Sequence, residues 1–162
     1  MKTTLSILLI LICSLNGFAQ KKWNTEVPKQ IIIISSTKSY NEALKAAKDA
    51  SKQLGKKLDL RELVPNVKTG LTWPEARCKT GESDEKDFPY YPARGDGNAD
   101  NDDYISVEYS DAYKGFAKGF YIVVAGITDV SGAAAEKQLA AVKKVYKDAY
   151  AKRAMIWYGP MD

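Results

Sequence analysis

Apolar residues fall in short runs along this 162-residue chain, and their spacing predicts alternating strands and helices. The unbroken β-branched run Ile31–Ile34, just after Pro28, predicts a strand buried on both faces in the middle of a sheet. Residues 39–42 read Ser-Tyr-Asn-Glu, the spacing of a capping box, so we expect a helix to begin there. Gly55 offers that helix a left-handed stop. Residues 58–63 place leucines in partial alternation with polar residues, which predicts a half-buried strand.

The C-terminal part of the chain repeats this order of elements. Residues 120–125 predict a strand, and residues 132–150 carry an apolar stripe at helical spacing, with Ser131 as the expected N-cap. Residues 154–158 predict a short closing strand. Residues 104–109 alternate apolar and polar positions, so we expect them to pair with the strand at residue 120 as a hairpin.

These elements predict an α+β fold, a ferredoxin-like antiparallel sheet with two helices on one face. The first β-α-β unit covers residues 30–63, and a β-hairpin plus a second β-α-β unit covers residues 104–158. A long acidic loop, residues 64–103, is inserted between the two halves. Loops of that length are usually functional or disordered, and the aromatic residues in this one favour partial order.

The N-terminus has the features of a cleavable secretory signal. Met1 and Lys2 precede the apolar run Leu5–Ile12, and Gly17 and Ala19 are small residues at the positions that a signal peptidase reads. The run is too short to span a bilayer as a helix. We therefore expect a signal peptide over residues 1–19 and a single domain over residues 20–162. That domain is expected to be periplasmic or secreted, without a membrane span.

Charge divides the domain into two basic segments that flank an acidic one. Basic and acidic residues number eleven and five over residues 20–68, four and eleven over residues 75–111, and eight and four over residues 112–162. Lysine-rich helix faces could approach an anionic polymer, although most such faces are simply solvated. The modest net charge and the lack of an arginine cluster argue against nucleic acid as a partner.

The missing residue types exclude several kinds of active site. The chain has no histidine, and residues 20–162 contain one cysteine, Cys78, which excludes Ser-His-Asp and Cys-His nucleophilic sites and His-ligated zinc. We expect Cys78 to be a buried apolar residue. No pair of acids stands out as a glycosidase site. The sequence therefore favours a protein that is not an enzyme.

Three strings in the C-terminal half carry a family resemblance. Tyr121–Gly126, the alanine-rich helix start Gly132–Lys137, and Tyr146–Lys152 resemble the SPOR domain, the sporulation-related repeat, over residues 119–158. A fainter echo covers residues 30–63. The resemblance implies a two-helix, four-stranded ferredoxin-like sheet that binds peptidoglycan, especially glycan strands stripped of stem peptides.

The chain departs from the family pattern in two respects. The family usually has a glutamine early in its core strand and a short connection between its halves, whereas here the strand reads Ile122-Val-Val and the connection is the acidic loop. The fold can therefore carry over without the ligand.

The acidic loop also contains a possible cation site. Asp96, Asn98, Asp100 and Asp102 place oxygen ligands at alternate positions, as a calcium-binding EF-hand loop does. The pattern lacks the glycine of the sharp turn, and its twelfth residue is Val107 instead of glutamate. Ca²⁺ at these residues is therefore weighed against a solvated acidic turn, and no other cofactor is expected.

Several aromatic residues and one arginine are candidate ligand-binding residues. Aromatic side chains can stack on sugars or anchor a protein partner, and those in the loop can equally pin the loop to the body of the domain. Arg94 begins an Arg-Gly-Asp tripeptide like those that integrins bind. The candidates are Trp73, Tyr90, Tyr91, Arg94, Tyr121 and Trp157.

Two functions are open from the sequence. The first is a non-catalytic envelope module that binds peptidoglycan or another glycan through one face of its sheet. The alternative is a periplasmic inhibitor or immunity protein that neutralises a toxin or a wall hydrolase by inserting its acidic, aromatic loop into a cleft.

Overall fold

The main sheet contains four antiparallel strands, and its order across the sheet is not the order along the chain. The computed structural model describes residues 26–80, 87–95 and 103–157. The elements are β1 (Glu26–Thr37), α1 (Tyr40–Leu54), β2 (Val64–Asn66), β3 (Gly70–Thr72), α2 (Glu75–Cys78), β4 (Ser106–Tyr109), β5 (Tyr121–Asp129), α3 (Ala133–Lys143) and β6 (Tyr150–Trp157). The strands of the main sheet lie in the order β4-β5-β1-β6, while β2 and β3 form a separate hairpin.

The position of β1 follows from its sequence. The run Ile31–Ile34 is at most 9 % exposed, and β1 pairs with β5 on one side and β6 on the other, which confirms the predicted central strand. β4 pairs with β5 from Ser106 opposite Val124 to Tyr109 opposite Tyr121, which confirms the predicted hairpin.

Both longer helices pack on one face of the sheet, as predicted. Helix α1 begins at Ser39, whose hydroxyl accepts from the Glu42 N–H at 3.4 Å, and ends at Gly55 with φ 63°. The alanines of α1 (Ala43, Ala47 and Ala50) and Val142 of α3 bury against the strand residues Ile32, Val107 and Val123. Small side chains on α1 let it lie close to the sheet.

The opposite face of the sheet is also buried, although neither of the longer helices lies on it; a short 3-10 helix, Ser110–Ala112, lies in the segment that covers it. Tyr113 and Phe116 join Ile31, Ile33 and Val124 in a second apolar cluster on that face, and Ala93 packs against it. We call residues 91–95 and 110–116 the cover. The cover closes the face of the sheet that a two-layer fold would leave open.

Several predicted elements of the main sheet and its helices differ from the structure. The closing strand begins at Tyr150 instead of Ala154, and the strand predicted to end at Ala125 continues to Asp129. Residues 58–63 do not form a strand: Leu58 makes a single parallel bridge to Ile105, and Arg61 and Glu62 have φ of 55° and 58°, which strand geometry excludes.

Helix α3, which corresponds to the helix predicted over residues 132–150, is shorter than predicted. It ends at Lys143 instead of Tyr150, and its N-cap is Gly132 instead of Ser131, with no side-chain cap bond. Tyr146 and Ala149 still pack against the core from the turns that follow, so the apolar spacing continues after the helix has ended.

The part of the acidic loop that the structure describes begins with the β2–β3 hairpin. Val64 to Asn66 pair with Gly70 to Thr72, and the Asn66 side chain accepts from the Lys68 N–H at 2.8 Å in the turn. Helix α2 follows, and its last residue, Cys78, is buried with a free thiol, as predicted.

Replacing Gly95 with alanine is expected to destabilise the domain more than the same change at Gly115. Both residues have positive φ, which costs alanine roughly 1–2 kcal/mol. A Cβ at Gly95 would also overlap the Cγ2 methyl of Ile156, whereas one at Gly115 meets nothing within 4 Å. We expect urea unfolding to show a further loss of about 1–3 kcal/mol for Gly95→Ala. Equal losses for the two variants would mean that the cover is not packed on β6.

Candidate functional site

The most deeply buried charge in the described chain is the carboxylate of Glu108 on β4. The residue is 0 % exposed, because alternation along β4 turns it away from Val107 and toward the cover. Both carboxylate oxygens accept from Arg61 Nη1 at 3.2 Å, and Oε2 accepts from the Tyr91 hydroxyl at 2.6 Å. Tyr113 adds a longer bond to Oε2 at 3.4 Å. We call Glu108, Arg61, Tyr91 and Tyr113 the Glu108 cluster.

A left-handed turn delivers Arg61 to this cluster. The Arg61 N–H donates to Asp59 Oδ1 at 2.8 Å, which closes an Asx turn and holds the backbone at φ 55°. The guanidinium also donates to the carbonyl of Pro92. Arg61 therefore joins the turn after α1 both to β4 and to the cover.

The two tyrosines tie the cover to the same carboxylate. The Tyr91 hydroxyl donates to Glu108 and accepts from the backbone N–H of Tyr109 at 2.9 Å. The Tyr113 hydroxyl accepts from the backbone N–H of Arg94 at 3.2 Å. Both halves of the cover thus meet at Glu108.

Burial and charge shift the pKa values within the cluster. Burial, and then the negative charge of Glu108, raise the pKa of Tyr91 and that of Tyr113 well above the ordinary tyrosine range. Burial alone would lower the pKa of Arg61, but the attraction to Glu108 and the neighbouring tyrosine oxygens outweighs it, so the pKa is raised. The tyrosines are held neutral and Arg61 is held charged, so all three can donate hydrogen bonds to the carboxylate and join their segments to β4.

Arg94 lies beside the cluster and is buried, with 1 % of its surface exposed. Its Nη1 donates to the Ser106 hydroxyl at 3.1 Å, and its guanidinium lies 3.7 Å from the centre of the Tyr104 ring. A receptor for an Arg-Gly-Asp tripeptide needs an exposed arginine, and this side chain faces the interior of the domain.

Trp73 and Tyr90 pack on each other, with ring centres 5.6 Å apart. The Trp73 backbone N–H donates to the Tyr90 carbonyl at 2.9 Å, and its indole N–H donates to the Arg61 carbonyl at 3.2 Å. Together with Tyr91, which bonds to Glu108, these two side chains fix the acidic loop to the body of the domain. This is one of the two interpretations that the sequence leaves open.

Tyr121 is half-buried on the helix side of the sheet. Its ring packs against Tyr40 and Tyr109, with centres 5.6 Å and 5.1 Å away, and its hydroxyl donates to the Gly70 carbonyl at 3.0 Å. Burial raises the pKa of Tyr121. These contacts secure the β2–β3 hairpin and leave little of the ring to contact a ligand.

Trp157 is the candidate that remains open to solvent, with 46 % of its surface exposed. It borders a small cleft of about 130 Å³ at the end of the sheet where β1 begins and β6 ends. Glu26 and Met155 line the cleft beside it, and Tyr113 and the buried Arg94 lie on the side of the cover. The structure therefore brings two candidate residues, Arg94 and Trp157, to one cleft.

The possible calcium ligands Asp96, Asn98, Asp100 and Asp102 lie outside the described residues. Their neighbour Asp103 is described, and its carboxylate pairs with Lys56 and accepts from Gln138 Nε2 at 2.8 Å. Within the described ranges, no three His, Cys, Asp or Glu side chains are grouped so that they could hold a metal ion.

Comparison of the chain with protein-family models, with curated proteins and with solved structures finds no match. No helix in the part of the chain that the structure describes is long and apolar enough to cross a membrane. Function must therefore be inferred from the geometry of the chain itself.

Sequence analysis missed three of the four members of the Glu108 cluster. Alternation along β4 predicts that Glu108 and Val107 point to opposite faces of the sheet. It does not reveal that the cover lies on the face of Glu108. The half-buried strand predicted over residues 58–63 would place Arg61 among its polar positions, and that strand does not form. The only sequence signal for Tyr113 is an aromatic residue between two short strands.

Replacing Arg61 with methionine is expected to cost about 3–5 kcal/mol of unfolding free energy, because it leaves a buried carboxylate without its cation. The double variant Arg61→Met with Glu108→Leu removes both charges and should recover much of that loss. Urea unfolding of the two variants gives the comparison. A loss below about 1 kcal/mol in the single variant would contradict a buried ion pair.

Alkaline pH is expected to destabilise the protein through Tyr91. The raised pKa means that the folded state favours the neutral phenol, so its contribution is complete below the unfolded pKa of about 10 and is lost as the pH rises through the folded value. Between about pH 10 and 12, Tyr91→Phe should therefore lose stability with pH more slowly than the unmodified protein. The exposed Tyr150→Phe is the control and should keep the original slope.

Proposed function

We propose that the protein is an exported, non-catalytic module of the bacterial envelope that binds peptidoglycan glycan strands at the cleft beside Trp157. The observation that carries the proposal is this exposed indole at the rim of a cleft, because an aromatic ring can stack on the apolar face of a sugar. Periplasmic and extracellular locations are both compatible with a signal peptide over residues 1–19.

A SPOR-like, ferredoxin-like fold is part of the proposal. In chain order, the first and third strands of the main sheet lie in the centre, the fourth lies beside the first, and the second lies beside the third. That arrangement, with both longer helices on one face, supports a ferredoxin-like layout. The SPOR-like strings over residues 119–158 fall on β5, α3 and β6.

The location of the site departs from what the resemblance implies. Glycan binding through one face of the sheet needs that face to be open. Here the face opposite the two longer helices packs against Tyr113, Phe116 and Ala93. Trp157 lies at the end of the sheet, where the cover leaves the cleft. We therefore place the glycan at the end of the sheet instead of across it.

A binding role without catalysis suits the chemistry of the Glu108 cluster. A general acid or nucleophile must reach its substrate. Glu108 is fully buried, and Arg61 and Tyr91 occupy its oxygens, so the carboxylate serves the fold.

Co-sedimentation of residues 20–162 with purified sacculi, before and after amidase treatment, tests this proposal. We expect retention that increases when stem peptides are removed, and a loss of about tenfold or more in affinity for Trp157→Ala. The matched control is Phe88→Ala, which removes an aromatic side chain of similar exposure, 45 %, from the acidic segment. No retention on either form of sacculus would disprove glycan binding.

The second candidate is a periplasmic inhibitor or immunity protein that binds a toxin or wall hydrolase. The exposed Phe88, beside the exposed Asp87, favours it, because an apolar side chain next to an acidic one suits a basic cleft. Deleting the acidic loop would also remove Tyr91 from the Glu108 cluster and so disturb the fold. Phe88→Ala tests the loop without that effect. Retention on sacculi would be unchanged in that variant, whereas inhibition of a partner would be lost.

A further inference from the structure

The two edge strands of the main sheet, β4 and β6, differ in how many of their outward backbone groups have hydrogen-bond partners. At the β4 edge, the Ile105 N–H donates to the Lys57 carbonyl at 2.8 Å, and the Asp59 N–H donates to the Ile105 carbonyl at 2.9 Å. The Tyr109 N–H is taken by the Tyr91 hydroxyl. The backbone groups of this edge are therefore largely occupied, which prevents another strand from adding to it.

The β6 edge has no such protection within the described residues. β6 pairs with β1 along its whole length, from Glu26 opposite Trp157 to Ile33 opposite Tyr150. No described residue makes a backbone hydrogen bond to its other side. Every second residue of a strand turns its N–H and C=O toward each neighbour, so the outer edge of β6 has a ladder of about 26 Å that no described residue pairs with.

Apolar side chains flank this ladder. Tyr150, Met155 and Trp157, all on this eight-residue strand, are 45 %, 39 % and 46 % exposed. Side chains alternate along a strand, so Tyr150 lies on one face of the sheet and Met155 and Trp157 lie on the other. An added strand could cover apolar surface on both faces.

Charge identifies the kind of strand that would fit. Between Lys137 and Trp157 the chain has six basic residues and one acidic residue. Arg153 is exposed on β6 itself, and Lys143, Lys144 and Lys147 are exposed just before it. Among the described residues, no carboxylate lies within 4 Å of these four cationic groups. A second copy would bring this basic surface against itself, whereas an acidic segment would complement it.

We propose that the outer edge of β6 binds an extended, acidic segment of a partner protein, which adds to the main sheet as a further strand. Backbone hydrogen bonds provide the attachment, and the basic residues around Arg153 select an acidic sequence. This site overlaps the glycan cleft at Met155 and Trp157 and differs from it in using the length of β6 and its backbone groups.

Amide hydrogen exchange with a defined peptide tests the proposal. The probe is a capped peptide as long as β6 that alternates glutamate with valine, added to residues 20–162 up to millimolar concentration. We expect slower exchange at alternate amides of residues 150–157 and no change at residues 106–109. The same peptide with N-methyl groups on alternate residues cannot form the ladder on that edge and should not bind. Exchange that is unchanged along β6, or equal binding of the N-methylated peptide, would overturn the proposal.

A matched pair of charge variants tests the selectivity. Arg153→Glu should weaken binding of the peptide about fivefold or more, whereas Lys45→Glu, the same charge change at an exposed position on α1, should alter it by less than about twofold. Equal effects would contradict a local role for the β6 edge. Retention on sacculi with the intact Trp157 is measured in parallel, so a failure of peptide binding is distinguished from a failure of glycan binding.

Discussion

A carboxylate without access to water must have partners, and Glu108 is such a carboxylate. Removing an ion of this kind from water costs several kcal/mol, which only a cation and further hydrogen bonds can offset. Those partners come from three places far apart in the sequence: the turn at Arg61, the acidic segment at Tyr91, and the connection at Tyr113. One buried charge on a short strand therefore fixes how three otherwise irregular segments lie on the sheet.

The arrangement of these segments restricts where the protein can bind another molecule. With the helices on one face and the cover on the other, both faces of the sheet are closed by apolar packing. What remains is the perimeter: the cleft beside Trp157, the exposed Phe88, and the outer edge of β6. The binding surfaces proposed above all lie there, and none of them uses the open sheet face that the SPOR-like resemblance implies.

Apolar spacing predicted the elements that are buried against another regular helix or strand. The isoleucine run of β1, the start and stop of α1, the hairpin of β4 with β5, and the placement of both helices on one face follow from it. It failed where irregular segments supply the packing. Residues 58–63 alternate because Leu58 and Leu60 meet the core from a turn, and Tyr146 and Ala149 keep helical spacing after α3 has ended. The pattern also records that Tyr91 is aromatic and that Arg94 is charged, but not that Tyr91 meets the Glu108 carboxylate or that Arg94 meets the Tyr104 ring.

The central claim is that the cover is an integral part of the fold that Glu108 holds in place. Native-state hydrogen exchange at the backbone amides of Arg94 and Tyr109, which donate to the Tyr113 and Tyr91 hydroxyls, tests it most directly. We predict that both amides exchange only through global unfolding, with the same free energy as the amides of Val123 and Val124 in β5. Exchange of Arg94 and Tyr109 through a local opening, while β5 remains protected, would contradict the claim, and the face of the sheet under the cover would again be a candidate binding surface.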